Sequence, residues 1–187
     1  LNPERGSSIA IWGVGGVGLC AVMAAKALGC DPIIAVDLNE AKQELAREFG
    51  ATHFIRGDEN PVHAIQEITQ GKGVDYGVEA SGSTQAMELG FQSIRKAGGC
   101  FVLAGNPKQG EQFSVDPFDL IQGKRILGTW GGESNLDEEL PKYIQLYWEG
   151  KLPLEKLVTH RFKLTEINQA LETLESGNCG RVLIEVI

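Results

Sequence analysis

A chain of 187 residues with 42% apolar and 22% charged side chains can bury a substantial core and has ordinary globular usage, which excludes fibrous and disordered classes. No apolar run reaches the roughly 18 residues a bilayer span needs, and a net charge of −8 without a basic cluster would repel nucleic acid or an acidic membrane face. Cys20, Cys30, Cys100 and Cys179 lie far apart with no CxxC pair, so they read as small buried hydrophobes in a reducing, cytoplasmic compartment and not as a zinc or redox motif.

The opening LNPERGSS begins without Met and carries no apolar signal segment, so it reads as an interior cut. Residues 8–12 form the first predicted strand. A glycine loop follows, and then a helix containing Leu19, Val22, Met23 and Ala27. The second strand, 33–37, ends on Asp37. After it Asn39 can cap a helix whose Ala41, Leu45 and Phe49 make an i, i+4 stripe, with Gly50 as its left-handed stop. Strands at 53–55 and 74–79 flank a short helix that carries His63. A helix over 84–96 presents Met87, Phe91 and Ile94 to the core and sets Arg95 and Lys96 at the negative end of its dipole. Strands at 100–104 and 125–129 complete the series.

Alternating apolar strands and helices predict an α/β fold. Its form is a doubly wound parallel sheet of Rossmann type, with right-handed crossovers placing helices on both faces. Beyond Trp130 the texture changes to the polar, Gly-rich WGGESNLDEELP. A boundary near Gly131 divides a first domain, 1–131, from a tail, 132–187. The tail holds a helix at YIQLYWEGKL, a strand at VTHRFKL, a helix at LTEINQALETLESG with Thr165 as its N-cap, and a last strand at RVLIEVI.

A GxGxxG match alone is weak, but Gly13, Gly15 and Gly18 follow an apolar strand directly and open a helix, the setting the motif requires. Gly13 then permits the turn, Gly15 lets backbone approach a pyrophosphate, and Gly18 lets helix and strands pack closely. N–H groups near Gly16 and Val17, at the positive end of the helix dipole, can hold phosphate. Asp37 stands 19 residues after Gly18 at the tip of the second strand, where a carboxylate accepts from both hydroxyls of an adenosine ribose and repels a 2′-phosphate. With Leu38 and Asn39 next in line instead of an arginine, NAD is favoured over NADP. Lys42 can reach the same ribose, although by itself it reads as a solvated helix lysine. An S-adenosylmethionine site fits less well, because residues 7–11 offer no carboxylate on the first strand.

With these residues in place, the chain resembles the medium-chain, zinc-dependent alcohol dehydrogenases over essentially its whole length. The resemblance rests on GVGGVG, VDLNEAKQELAREFGAT, VDYGVEASGS, FVLAGNP, GTWGG, LYWEGKLPLEKLVTH and GRVLIEV. It implies that Asp37 and Lys42 pair with the adenosine ribose, and that Gly13, Gly15, Gly16 and Val17 hold the pyrophosphate, Val17 also backing the nicotinamide. By the same resemblance Ala80, Ser81 and Gly82 border the nicotinamide ribose, the backbone of Ala104, Gly105 and Asn106 meets the carboxamide, and Arg181 binds pyrophosphate. In that family the tail returns to an N-terminal catalytic domain whose cysteines and histidines hold zinc, a Lewis acid toward the alcohol oxygen. No such ligand set lies within residues 1–187, and His53, His63 and His160 read as structural. The chain as given is therefore expected to bind cofactor without oxidising alcohol. A zinc-free NADPH-dependent quinone or enoyl reductase and a non-catalytic NADH sensor are the rival readings. RILGTW, from Arg125 to Trp130, matches the family's sheet-edge strand, which implies a homodimer or tetramer.

Overall fold

The computed structural model describes residues 1–186; Ile187, which ends the predicted last strand, lies outside the described residues. Six strands form one sheet: β1 (Ile9–Trp12), β2 (Ile33–Asp37), β3 (His53–Arg56), β4 (Tyr76–Glu79), β5 (Cys100–Leu103) and β6 (Arg125–Gly128). Their order is β3-β2-β1-β4-β5-β6, and every pairing is parallel. This is the Rossmann order, and the chain reverses its direction of winding between β1 and β4, which opens a crevice at their carboxyl ends.

The four residues of β1 are all buried, as a central parallel strand covered on both faces must be. Its alternation decides which side chain goes to which layer. Ile9 and Ile11 join Leu19, Met23 and Phe49 on one face, where α1 (Gly16–Leu28) and α2 (Gln43–Phe49) lie. Ala10 and Trp12 join Ile65, Phe91 and Phe101 on the other, under α3 (Pro61–Ile68) and α4 (Thr84–Ser93).

The amino ends of the two central strands are pinned together by Ser8 and Asp75. Asp75 Oδ2 accepts from the Ser8 N–H (2.9 Å) and hydroxyl (2.7 Å), and the Asp75 N–H donates to Ser8 Oγ (2.9 Å). Arg95 Nε donates to Asp75 Oδ1 at 2.6 Å. Burial alone would raise the Asp75 carboxyl, but the donors on Ser8 and Arg95 outweigh it and hold the carboxyl below its usual range.

That role for Arg95 goes with a correction to the predicted helix 84–96. The helix α4 ends at Ser93, and Ile94 is extended (φ −77°, ψ 151°). Val74 N–H donates to Ser93 O and Arg95 N–H to Val74 O, forming a parallel bridge between Val74 and Ile94. Those two bonds and the burial of Ile94 replace a last helical turn, so Arg95 and Lys96 do not face the dipole. Lys124 takes that place: its ammonium donates to the carbonyls of Phe91 (3.2 Å) and Gln92 (3.1 Å) and pairs with Asp119 (3.1 Å). A short helix, α5 (Pro117–Ile121), was not expected. Asp116 caps it by accepting from the Phe118 N–H (2.8 Å), and Pro117 sits in its first turn.

Past Gly131 come α6 (Leu136–Trp148), β7 (Val158–Lys163), α7 (Ile167–Glu175) and β8 (Arg181–Glu185). β7 and β8 pair in parallel as a second, two-stranded sheet. Thr165 is not the cap of α7. It lies in a 3-10 turn, Leu164–Glu166, in which Glu166 Oε2 accepts from the Lys163 N–H at 2.8 Å. Leu152 and Leu157 from this region are buried in the same cluster as α1 and α2, which ties the tail to the first layer of the core.

Candidate functional site

A cleft of about 440 Å³ opens at the carboxyl ends of β1, β2 and β4, where the winding of the sheet reverses. Gly13, Gly15, Asp37, Lys42, Ala80 and Ser81 line it, together with the apolar faces of Trp12, Val36, Leu38 and Leu89.

Its floor is the glycine turn between β1 and α1. Gly13 has φ +84° and its N–H donates to Val36 O at 2.8 Å, a left-handed conformation that favours glycine. A Cβ on Gly18 would run into the Gly13 carbonyl oxygen, so the close seating of α1 on the strand depends on that missing atom. Gly15 precedes α1 without a side-chain cap, and the first turn contains no acid. The N–H groups of Gly16 and Val17 thus begin a helix whose positive end is uncompensated by its own side chains. Arg181, at the start of β8, lies directly over this end: a Cβ on Gly16 would come within 2.6 Å of its Nε. Cys20, one turn further along α1, is exposed and so is not the buried hydrophobe its apolar run predicts; partial desolvation raises its thiol, and the same guanidinium pulls it back down. A guanidinium beside a helix N-terminus is a like-sign pairing, which an anion seated between them would convert to a favourable one.

Asp37 closes the other end. Its Oδ2 accepts from the Val14 N–H (2.8 Å) and faces the Lys42 ammonium (3.4 Å), while Oδ1 accepts from the Asn39 N–H (2.9 Å). Only 11% of the Asp37 side chain and 16% of Lys42 are exposed. Lys42 is placed by a 3-10 turn, Glu40–Lys42, that Asn39 caps through the Ala41 N–H (3.0 Å) before α2 begins. Asn39 Nδ2 also donates to Asn178 Oδ1 in the α7–β8 loop (2.6 Å), so the tail touches the cleft at both ends.

The third wall is organised by Glu79, which the sequence reading passed over. It is fully buried at the tip of β4. Its Oε1 accepts from the Ser81 N–H (2.7 Å), the Ser81 hydroxyl (2.5 Å) and the Gly82 N–H (2.8 Å). Its carbonyl accepts from the Ala104 and Gly105 N–H groups (2.8 and 3.0 Å). Among the described residues the second carboxylate oxygen has no hydrogen-bond partner, as is true of the Trp12 indole N–H. An acid ending an apolar strand is the same signal that singled out Asp37.

The structure therefore brings Gly13, Gly15, Asp37, Lys42, Ala80 and Ser81 to one cleft, with Gly16, Val17, Gly18 and Arg181 at its helix end. Gly82, Ala104, Gly105 and Asn106 adjoin one another at the ends of β4 and β5, next in the chain or in space to Ala80 and Ser81. His53, His63 and His160 lie on β3, α3 and β7, and among the described residues no three of His, Cys, Asp and Glu converge to hold a metal ion. Among those residues, too, no helix is long and apolar enough to cross a membrane.

Residues 16–149 match the zinc-binding dehydrogenase family. The chain is 37% identical to alcohol dehydrogenase 1 of Trifolium repens, over 99% of its own length and 49% of that protein. Among solved structures it superimposes on benzyl alcohol dehydrogenase from Acinetobacter calcoaceticus with a TM-score of 0.92 at 36% identity, covering 98% of this chain and 51% of that one. A putative zinc-binding dehydrogenase from Sinorhizobium meliloti 1021, bound to NADP, gives a TM-score of 0.84 at 28% identity over 98% and 53% of the two chains. The chain spans about half the length of the curated relatives it matches.

Proposed function

The chain belongs to the zinc-binding dehydrogenase family, and from that premise we propose that it is the cofactor-holding part of an NAD-dependent alcohol dehydrogenase. The observation that carries this reading is the Asp37 carboxylate, aimed by the Val14 and Asn39 N–H groups beside a helix start with no acid of its own. Asp37 and Lys42 would hold the adenosine ribose. The turn at Gly13, Gly15, Gly16 and Val17 would hold the pyrophosphate, with Arg181 as its clamp and Gly18 keeping the helix seated. Ala80, Ser81 and Gly82, fixed by Glu79, would border the second ribose, and the backbone of Ala104, Gly105 and Asn106 would meet the carboxamide.

When bound, the nicotinamide accepts a hydride from the carbon that bears the alcohol. This chain's residues contribute placement, which raises the effective concentration of the reacting carbons. The described residues offer no ligand set for the family's zinc, so no metal step is assigned to them. A relative that carries NADP means that family membership does not choose the cofactor. The charge of Asp37 favours NAD. Residues 1–131 serve as the nucleotide domain in this reading, and 132–187 as the tail that in the family returns toward the catalytic domain.

Fluorescence titration of the chain with NADH and NADPH tests the proposal. NADH should bind the tighter, and Arg181→Ala should weaken both about tenfold, the loss of one charge-assisted contact of ~1.5 kcal/mol, with a shallower salt dependence. Failure to bind either nucleotide, or tighter binding of NADPH, would refute it.

The edge of the sheet supports a second element of the reading. Among the described residues β6 has no neighbour on its outer side, and Leu127 and Trp130 stand 53% and 85% exposed. We assign this edge to pairing with a second copy about a twofold axis. Sedimentation should show a dimer that Leu127→Lys dissociates; a monomer at high micromolar concentration in the unaltered chain would count against it.

A further inference from the structure

Cofactor choice in this cleft has a determinant besides Asp37, and it lies on the neighbouring strand. In the β2–β3 register Asp37 stands opposite Arg56, one strand spacing away, about 4.8 Å between backbones. The next residue, Gly57, donates its N–H to the Asp37 carbonyl at 3.0 Å and lines the cleft with Asp37, Leu38 and Lys42. A guanidinium so placed would ordinarily serve an adenosine 2′-phosphate, since its planar fork meets two phosphate oxygens together. Here the fork is already filled. Arg56 Nε donates to Asp58 Oδ1 at 3.0 Å and Nη2 to Asp58 Oδ2 at 2.6 Å. Glu59 Oε1 stands 3.5 Å from Nε, and Glu40, at the start of the turn that carries Lys42, adds a third opposing charge.

We propose that Asp58 is a specificity-determining residue: by occupying Arg56 in a bidentate pair, aided by Glu59 and Glu40, it withholds from a 2′-phosphate the cation that the register sets beside Asp37. The inference rests on the NAD-binding reading of the cleft. Against a phosphate dianion the region presents Asp37, Glu40, Asp58 and Glu59, with Lys42 engaged by Asp37 and Arg56 by Asp58. Removing Asp37 alone releases Lys42 and leaves Arg56 bound. The Arg56–Asp58 pair is solvent-exposed, with 36% of the Arg56 side chain accessible, so its strength is modest. Its effect on specificity lies in the charge it cancels and in the direction it gives the fork.

The experiment measures dissociation constants of the chain for NADH and NADPH in three steps: Asp37→Ser; Asp37→Ser with Asp58→Asn; and that pair with Arg56→Gln. Adding Asp58→Asn should tighten NADPH about tenfold and leave NADH within twofold, with the gain shrinking at high salt; Arg56→Gln should abolish it. The Arg56 and Asp58 side chains are exposed and Asp37→Ser is common to all three variants, so equal melting temperatures among them would show that folding does not account for the differences. An NADPH constant unmoved by Asp58→Asn, or a gain that survives Arg56→Gln, overturns the assignment while leaving NADH binding by the unaltered chain intact. If the unaltered chain binds neither nucleotide, the reading of the cleft falls and this assignment falls with it.

Discussion

Asp37→Ala should weaken NADH binding about a hundredfold while changing NADPH binding far less. A carboxylate accepting from two ribose hydroxyls makes two charge-assisted hydrogen bonds, and their joint loss is on the order of 3 kcal/mol, or two decades in the dissociation constant. For NADPH the same substitution removes a repulsion as well as an acceptor, and the two effects oppose each other. Asp37 lines the cleft, and water entering the space it vacates can accept from Val14 N–H and Asn39 N–H, the backbone donors that now aim it, so the fold should melt within a few degrees of the unaltered chain. Equal losses for NADH and NADPH, or a loss of NADH below threefold, would show that Asp37 does not read the ribose.

Gly18→Ala should act on stability first. The new Cβ would overlap the Gly13 carbonyl oxygen and come within 3.4 Å of Ile11 Cγ2. The carbonyl cannot easily retreat, because Gly13 is fixed in a left-handed conformation with its N–H on Val36 O. The helix must therefore lift off the strand. Overpacking of this kind costs about 3 kcal/mol, which in a chain of this size lowers the melting temperature by about 10 °C. Gly15→Ala is the contrasting variant. A Cβ there meets nothing within 4 Å and the backbone is extended (φ −77°), so melting should shift by no more than about 2 °C. The methyl would project where the turn borders the cleft and should weaken NADH binding all the same. If Gly18→Ala melts like the unaltered chain, the close packing of α1 on β1 does not depend on that glycine.

The two variants also separate what was readable in advance from what was not. Gly13, Gly15 and Gly18 could be given distinct tasks from spacing and from the apolar strand before them, because a sharp turn, a close approach and a tight helix seat are local demands on single residues. Asp37 was legible for a similar reason, as an acid ending a strand that is otherwise apolar. Glu79 carries the same signature at the tip of β4 but was passed over, since nothing local announces that its three donors come from the turn immediately after it. The end of α4 was misjudged because Met87, Phe91 and Ile94 continue a helical stripe. Pairing with Val74, twenty residues earlier in the chain, overrides that stripe.

By itself the amino-acid sequence determined the alternation of strand and helix through the six-stranded sheet and set the glycine turn and Asp37 at the ends of its first two strands. These follow from periodicity and from the conformational limits of individual residues, both of which act over a few positions. Only the tertiary structure decided that Arg181 lies on Gly16, that Asn178 meets Asn39, and that Arg56 stands beside Asp37 with its charge engaged by Asp58. Those encounters depend on strand register, crossover closure and the packing of the tail against α1 and α2. They are set by the burial of surfaces far apart in the chain, which no short window of residues records.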